Sequence, residues 1–172
     1  NYIYNGVASQ AVDNGLTQNT PASITISNPG NTVTLGANTT MTGTLTVNAG
    51  STLALGGSTL GSPTSLVMYD GASSNPGSSI TGTGLLTLGG NVTINSAGTG
   101  SNGATISAPV SLGATRTFTV ADDGTTATDL TISSVISGTS TTYGVTKAGT
   151  GTMALTGANS YGGPVTISAG IL

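Results

Sequence analysis

The chain alternates apolar and small polar residues in short runs that are separated by turn-forming residues. The recurring unit is a tripeptide with an apolar residue at each end and Thr or Ala in the middle. Alternation with a period of two predicts short β-strands with one buried face. The predicted strands are ITI (24–26), VTL (33–35), LTV (45–47), LAL (53–55), LTL (86–88), VTI (92–94), ATI (104–106), FTV (118–120), LTI (130–132), MAL (153–155) and VTI (165–167).

The segments between these tripeptides predict frequent turns and no helices. They are rich in Gly, Asn, Ser, Pro and Asp, which are the residues that β-turns favour. No segment keeps a period of 3.6 residues over three helical turns, and the abundant Gly, Thr and Ser disfavour helix. The pattern therefore predicts an all-β fold.

Self-similarity favours a solenoid of stacked turns over an antiparallel sandwich. Residues 42–57 and 149–170 repeat the same pattern, which is typical of stacked repeats. The chain has no Trp and one Phe, whereas sandwich cores depend on bulky aromatic residues. Thr at the outward positions suits parallel ladders. We predict one domain over residues 1–172, a right-handed parallel β-helix of about eight turns with roughly 20 residues per turn.

The apolar residues of the tripeptides are predicted to stack into continuous aliphatic columns inside this rod. No single turn could bury its apolar face alone, so stability comes from neighbouring turns. A charge at an interior position such as Ile94 or Ile132 is therefore expected to be strongly destabilising.

The low charge of the chain limits the classes of partner that it can bind. Only 4% of its residues are charged, against about 25% in ordinary soluble domains. Arg116 and Lys147 are the only cations, so no basic patch is expected for nucleic acid or anionic lipid. Lys147 has no acid nearby in sequence and is interpreted as a solvated residue. A surface this poor in charge has little electrostatic protection against self-association.

Residue types also restrict the chemistry. The chain contains no His, Cys or Glu, so the usual acid-base and nucleophilic groups are missing and we predict no enzyme. No apolar run reaches the ~18 residues of a membrane-spanning helix, so membrane insertion is not expected. The N-terminal NYIYNG lacks the features of a signal peptide, which is then expected to be removed or to lie outside the chain.

The acidic residues offer one candidate site. Asp122 and Asp123, with Asp129 nearby, are the grouped carboxylates, whereas Asp13 and Asp70 stand alone in sequence. Neighbouring residues of a strand point to opposite faces, and Asp-Asp-Gly is typical of a turn. We therefore predict a turn and no cofactor. A calcium site near Asp122, Asp123 and Asp129 is left open, because calcium prefers oxygen ligands. Catalysis by these residues is the least favoured reading.

The end of the chain resembles a known family, the autotransporter-associated β-strand repeat. The matching residues are Lys147, Gly149-Thr150-Gly151-Thr152, Gly157-Ala158-Asn159, Tyr161, Gly162-Gly163 and Ala169-Gly170. Residues 116–138 are similar to the segment that often precedes this repeat, so the resemblance covers 116–172. It implies a secreted or surface-exposed bacterial protein with a parallel β-helix passenger, and it offers no catalytic residues. Tyr161 belongs to a turn of the repeat, where packing is expected rather than ligand stacking.

Both ends of the rod are predicted to be adhesive, because neither carries a polar cap over its strands. We predict that the last strand of one rod pairs with the first strand of the next, giving a head-to-tail homopolymer. The predicted interface residues are Tyr2, Ile3, Tyr4, Val165, Ile167, Ile171 and Leu172.

Three other readings stay open. The chain could be one stretch of a longer passenger that continues beyond Leu172. It could be an adhesin whose lateral Thr and Asn ladders bind an ice-like surface or cell-surface or matrix glycans. It could also be a degenerate β-helix that acts on polysaccharides.

Overall fold

The computed structural model describes residues 1–12, 20–72, 74–100 and 102–172, and within these ranges it contains strands and no helix. None of these residues therefore forms a long apolar helix of the kind that crosses a membrane. The strands are β1 (Tyr2–Tyr4), β2 (Gln10–Val12), β3 (Ser23–Ile26), β4 (Thr32–Leu35), β5 (Thr39–Thr40), β6 (Thr44–Val47), β7 (Thr52–Ala54), β8 (Leu60–Gly61), β9 (Ser65–Tyr69), β10 (Ser79–Thr81), β11 (Leu86–Leu88), β12 (Asn91–Asn95), β13 (Ala104–Ile106), β14 (Val110–Leu112), β15 (Arg116–Val120), β16 (Leu130–Ile132), β17 (Ile136–Gly138), β18 (Val145–Ala148), β19 (Met153–Leu155) and β20 (Val165–Ile167).

These strands form three parallel sheets that the chain visits in rotation. Sheet A has the order β1-β3-β6-β9-β12-β15-β18-β20, sheet B has β2-β4-β7-β10-β13-β16-β19, and sheet C has β5-β8-β11-β14-β17. Each strand pairs with the strands one turn before and one turn after it, except the first and last strand of each sheet, which pair on one side only. The predicted all-β solenoid is confirmed, and it makes about seven turns.

Most turns are longer than the predicted ~20 residues, which explains why their number is slightly below the expected eight. Hydrogen-bonded residues in adjacent turns are 21 positions apart for Asn38 and Thr59. The separation is 26 positions for Ser79 and Thr105, and 29 positions for Thr115 and Gly144. The longest turns therefore lie in the second half of the rod.

The predicted tripeptides lie on strands, except that Leu55 directly follows β7. Their apolar residues form the core or pack against it, except those of the last tripeptide (165–167), which are exposed. In sheet A, Ile24, Leu45, Leu66, Val92 and Phe118 follow one another in register and are each at most 3% exposed. The Thr between the apolar residues of a tripeptide faces outward. Full burial of one such apolar side chain contributes about 1.5–3 kcal/mol, so the columns provide most of the stability.

Close backbone packing fixes the corners between sheets C and A. Gly90 lies directly before β12, and a Cβ on this residue would be 1.7 Å from the carbonyl oxygen of Thr64 in the previous turn. Only glycine allows the two turns to stack at this distance. The glycines in these corners therefore set how tightly the solenoid is wound.

Candidate functional site

One candidate surface is the end face formed by β20, an edge strand of sheet A. Val165 pairs with Val145 and Ile167 pairs with Lys147, so both continue the interior columns of the preceding turn. Val145 and Lys147 are fully buried, whereas Val165 is 47% exposed and Ile167 is 54% exposed. The end face thus presents interior positions to solvent.

The remaining predicted interface residues of this end lie on the same turn. Ile171 forms an isolated parallel bridge with Thr152 and accepts a hydrogen bond from the N–H of Met153 at 2.9 Å. Its side chain is 62% exposed, and that of Leu172 is 38% exposed. Together with Val165 and Ile167 they are the exposed apolar residues of the last turn, and we call these four residues the C-terminal face.

The opposite edge of sheet A is β1, which carries the other predicted residues. Tyr2 and Tyr4 pair with Ile24 and Ile26, so they lie in register with the interior columns and pack against the core. Burial, and then the neighbouring Tyr2, raise the pKa of Tyr4. Ile3 points the other way and is 65% exposed. These three residues form the N-terminal face, so the structure places the predicted interface residues in two separate groups.

Lys147 is buried, and its interpretation as a solvated residue is wrong. It pairs with Phe118 and is 0% exposed. Its Nζ donates hydrogen bonds to the carbonyl oxygens of Ala148 at 2.9 Å, Gly149 at 2.8 Å and Ala169 at 3.2 Å. An ammonium group has three donors, so these carbonyls satisfy it completely and make its burial tolerable.

The electrostatics of Lys147 act in two directions. Burial lowers the pKa of its ammonium group, and the charge of Asp129 opposes this effect. The small residues Ala169 and Gly170, which end the repeat, belong to the next turn. A Cβ on Gly170 would lie 2.5 Å from the Lys147 Nζ. The lysine and the small residues of the repeat are therefore parts of one contact between turns.

An acidic cluster lies at the corner between sheets A and B. One carboxylate oxygen from each of Asp70, Asp123 and Asp129 lies within 4.8 Å of the others. Asp70 directly follows β9, and the other two lie between β15 and β16. Asp122 is exposed and its Oδ1 accepts the N–H of Gly124 at 2.7 Å, as the turn prediction expects. Asp13 is outside the described residues.

Two carboxylates of this cluster are buried with one oxygen unpaired. Asp70 Oδ1 accepts the N–H of Ala97 at 2.6 Å, and Asp129 Oδ2 accepts the N–H of Thr152 at 2.7 Å. The second oxygen of each side chain, Asp70 Oδ2 and Asp129 Oδ1, is buried and has no hydrogen-bond partner. Burial raises the pKa of both carboxyl groups.

Asp123 differs because it is surrounded by donors. Desolvation acts to raise its pKa, but hydrogen bonds from the N–H and hydroxyl groups of Thr126 and Thr125 outweigh this effect and hold the pKa well below its usual range. Its Oδ2 also accepts the N–H of Gly100 at 3.1 Å. Asp123 is thus held as a carboxylate, and the cluster as a whole offers oxygen ligands suited to a divalent cation.

The sequence indicated two members of this cluster and missed the third. Asp123 and Asp129 were grouped with Asp122, which lies outside the cluster. Asp70 is separated from them by the intervening turn that contains β12. Such a contact between turns leaves no local spacing signal, so only the stacking register could have revealed it.

Tyr161 packs against the hydrophobic core, and burial raises the pKa of its hydroxyl group. Its Cβ lies 3.4 Å from the position that a Cβ on Gly138 would take, which places it over the end of β17. This position agrees with the packing role that the repeat turn predicted for Tyr161.

Sheet B carries an open groove of about 600 Å³ on its outer side, lined by small residues and hydroxyl side chains. The groove includes a ladder of hydroxyl side chains, and two of them, Ser79 Oγ and Thr105 Oγ1, are hydrogen-bonded at 2.9 Å. Its lining residues are Gly50, Thr52, Pro76, Gly77, Ser79, Asn102, Gly103, Thr105, Thr126, Ala127, Thr128 and Thr131. None of these described lining residues has an aromatic or charged side chain.

Comparison with known proteins gives one match. No curated protein and no solved structure is significantly similar to this chain. Residues 145–172 match the family model described as Passenger-associated-transport-repeat. The match begins at Val145, so the segment 116–144 lies outside it. The part of the chain that forms β18, β19 and β20 is therefore an autotransporter passenger-like repeat, carried on a β-solenoid.

Proposed function

We propose that this chain is a non-enzymatic, extracellular structural protein whose solenoids stack head to tail into a filament. The passenger-type repeat and the solenoid fold support a structural role at or outside the cell surface. The absence of His, Cys and Glu from the sequence supports a role without catalysis.

The observation that carries the proposal is the C-terminal face. Val165 and Ile167 continue the columns of Val145 and Lys147, yet about half of each side chain is exposed. In the preceding turns from β3 to β18, the residues in the column of Ile167 are at most 3% exposed, because the next turn covers them. Another turn of the same type would bury these side chains and pair the open edge of β20.

The N-terminal face is a suitable partner for this surface. Tyr2 pairs with Ile24 and so lies at the start of the column of sheet A that ends with Ile167 at the other face. Pairing β1 of one copy with β20 of another would continue sheet A in parallel. The two faces differ, so the contact is heterologous and extends into a filament rather than closing into a dimer.

Electron microscopy of the 172-residue chain at increasing concentration tests this proposal. We expect filaments with an axial repeat of roughly 35 Å, from about seven turns at ~4.8 Å each. Ile167→Asp should abolish them, because it places a charge in the apolar contact. Thr166→Asp is the matched control, because Thr166 lies on the same strand and pairs with Thr146 of the outward ladder.

Dispersed rods at every concentration would disprove head-to-tail assembly. Filaments that persist in Ile167→Asp and disappear in Thr166→Asp would also contradict it, because assembly would then run through the outer surface of the sheet.

A second candidate function is adhesion by one segment of a longer passenger. The observation that favours it is the groove on sheet B, where outward hydroxyl groups such as those of Ser79 and Thr105 could bond sugar hydroxyls. Adhesion would be supported if the Ile167→Asp variant binds a glycan on an array and the additional substitution Thr105→Val abolishes this binding. If the variant binds no glycan on the array, the proposed adhesion is disproved.

A further inference from the structure

We propose that Asp70, Asp123 and Asp129 bind one calcium ion that links neighbouring turns of the solenoid. One oxygen of each carboxylate lies within 4.8 Å of the others. Calcium binds oxygen at about 2.3–2.6 Å, so two ligands on opposite sides of one ion are about 5 Å apart. All three oxygens can therefore contact a single ion without a rearrangement of the backbone.

The unpaired oxygens are the independent observation that points to a ligand. Asp70 is 0% exposed and Asp129 is 1% exposed. Each uses one oxygen to accept a backbone N–H, and Asp70 Oδ2 and Asp129 Oδ1 are left buried without a partner. A buried carboxylate oxygen without a partner is costly, and a bound cation would supply the missing partner to both.

The ligand chemistry favours calcium among the divalent cations. The cluster contains carboxylate oxygens and no nitrogen or sulfur ligand, which suits a hard cation. Calcium accepts six to eight oxygens in irregular arrangements, and water can complete its shell. Magnesium requires a nearly ideal octahedron, which three carboxylates fixed on two different turns are less suited to provide.

The charge of Lys147 does not replace the ion. Lys147 influences Asp129 electrostatically. However, its three N–H groups are already donated to the carbonyls of Ala148, Gly149 and Ala169. The negative charge of the cluster is therefore not neutralised by a direct ion pair with this lysine.

The position of the cluster gives the ion a structural role. Asp70 belongs to the turn of β9, and Asp123 belongs to the turn of β15. The connection after β12 lies between them and donates N–H groups from Ala97 to Asp70 and from Gly100 to Asp123. An ion held by the carboxylates would therefore fasten three successive turns together.

Thermal unfolding of the chain, first in EDTA and then in calcium at about 5 mM, tests the proposal. This concentration exceeds the ~10⁻⁴ to 10⁻³ M dissociation constants of extracellular calcium modules. We expect calcium to raise Tm by about 5 °C or more. Asp70→Asn and Asp129→Asn should lose this rise. Asp122→Asn is the matched control, because the substitution removes one negative charge from the same loop. It should keep the rise in Tm, since Asp122 is exposed and lies outside the cluster.

Terbium luminescence gives a direct second measurement. Tyr69 immediately precedes Asp70, so excitation of tyrosine should sensitise terbium bound at the cluster. We expect one terbium per chain, displaced by calcium, and no sensitised signal in Asp70→Asn. Tyr69→Phe should reduce the luminescence and leave the calcium-dependent rise in Tm unchanged.

Several outcomes would overturn the proposal. These are a Tm that calcium leaves unchanged, an equal rise in Asp70→Asn and Asp122→Asn, and an equal effect of magnesium. In EDTA we expect Asp70→Asn to be at least as stable as the parent chain, since it removes a buried charge. If that variant does not fold, Asp129→Asn and terbium titration of the parent chain decide the question.

Discussion

Lys147 pairs in register with Phe118, so its alkyl chain continues an interior column of sheet A while its ammonium group reaches the corner of the turn. The ammonium binds the carbonyls of Ala148 and Gly149 in its own turn and that of Ala169 in the next. The lysine therefore acts as a tie between the last two turns, and its apolar stem fills the column.

Lys147→Met should loosen the last turn and leave the rest of the solenoid intact. Methionine keeps most of the stem volume but loses all three hydrogen bonds, at a cost of about 1–3 kcal/mol. We expect faster hydrogen exchange in β20 and unchanged exchange in β3. Thr146→Val, at the neighbouring outward position, is the control and should keep the protection of β20. Equal protection of β20 in Lys147→Met and the parent chain would contradict the role of the lysine.

The strands of sheets A and B were largely visible in the sequence, whereas those of sheet C were largely missed. Alternation predicts a strand when two inward residues flank an outward one, as at 92–94. β5 and β8 have two residues each, Thr39–Thr40 and Leu60–Gly61, and present only one buried residue. Strands this short have no period to detect, so only their pairing with neighbouring turns defines them.

The candidate site was less predictable than the fold. The terminal strands could be identified because their alternation is local. Lys147 was misread because its partners are backbone carbonyls, which carry no sequence signal. Asp70 was overlooked because the number of residues per turn is irregular, so its alignment with Asp123 could not be counted out along the chain.

The stability of the solenoid should fall at alkaline pH, in part because of Tyr161. Burial raises the pKa of its hydroxyl above the ordinary value of 10.0, so the folded state favours the neutral form. This contribution is fully present below pH 10 and is lost as pH rises through the folded-state pKa. Tyr161→Phe removes the ionisation and should flatten the decline in urea-unfolding free energy across this range. An unchanged slope would show that Tyr161 does not contribute.

The corner glycines should tolerate alanine very differently. Gly90→Ala would place a Cβ 1.7 Å from the carbonyl oxygen of Thr64, and backbone must move to relieve this contact. We expect a loss of about 2 kcal/mol or more. Gly57→Ala is the matched control, because no atom lies within 4 Å of its Cβ position, and it should be neutral or stabilise by up to about 1 kcal/mol. Urea denaturation measures both, and similar losses would contradict the tight corner.

A charge in an interior column should be among the most damaging single changes. Ile94 is 1% exposed and lies in register between Met68 and Val120, so Asp at this position would be an unpaired buried charge. We expect a loss of more than about 4 kcal/mol, seen as loss of the β-sheet circular dichroism or a large drop in the urea midpoint. Thr93→Asp adds the same charge one residue away on the outer ladder, between Val67 and Thr119, and should cost less than about 1 kcal/mol. The two variants differ only in the face of the strand that receives the charge. Equal losses of stability would therefore show that the inward column does not stabilise the fold as its burial implies.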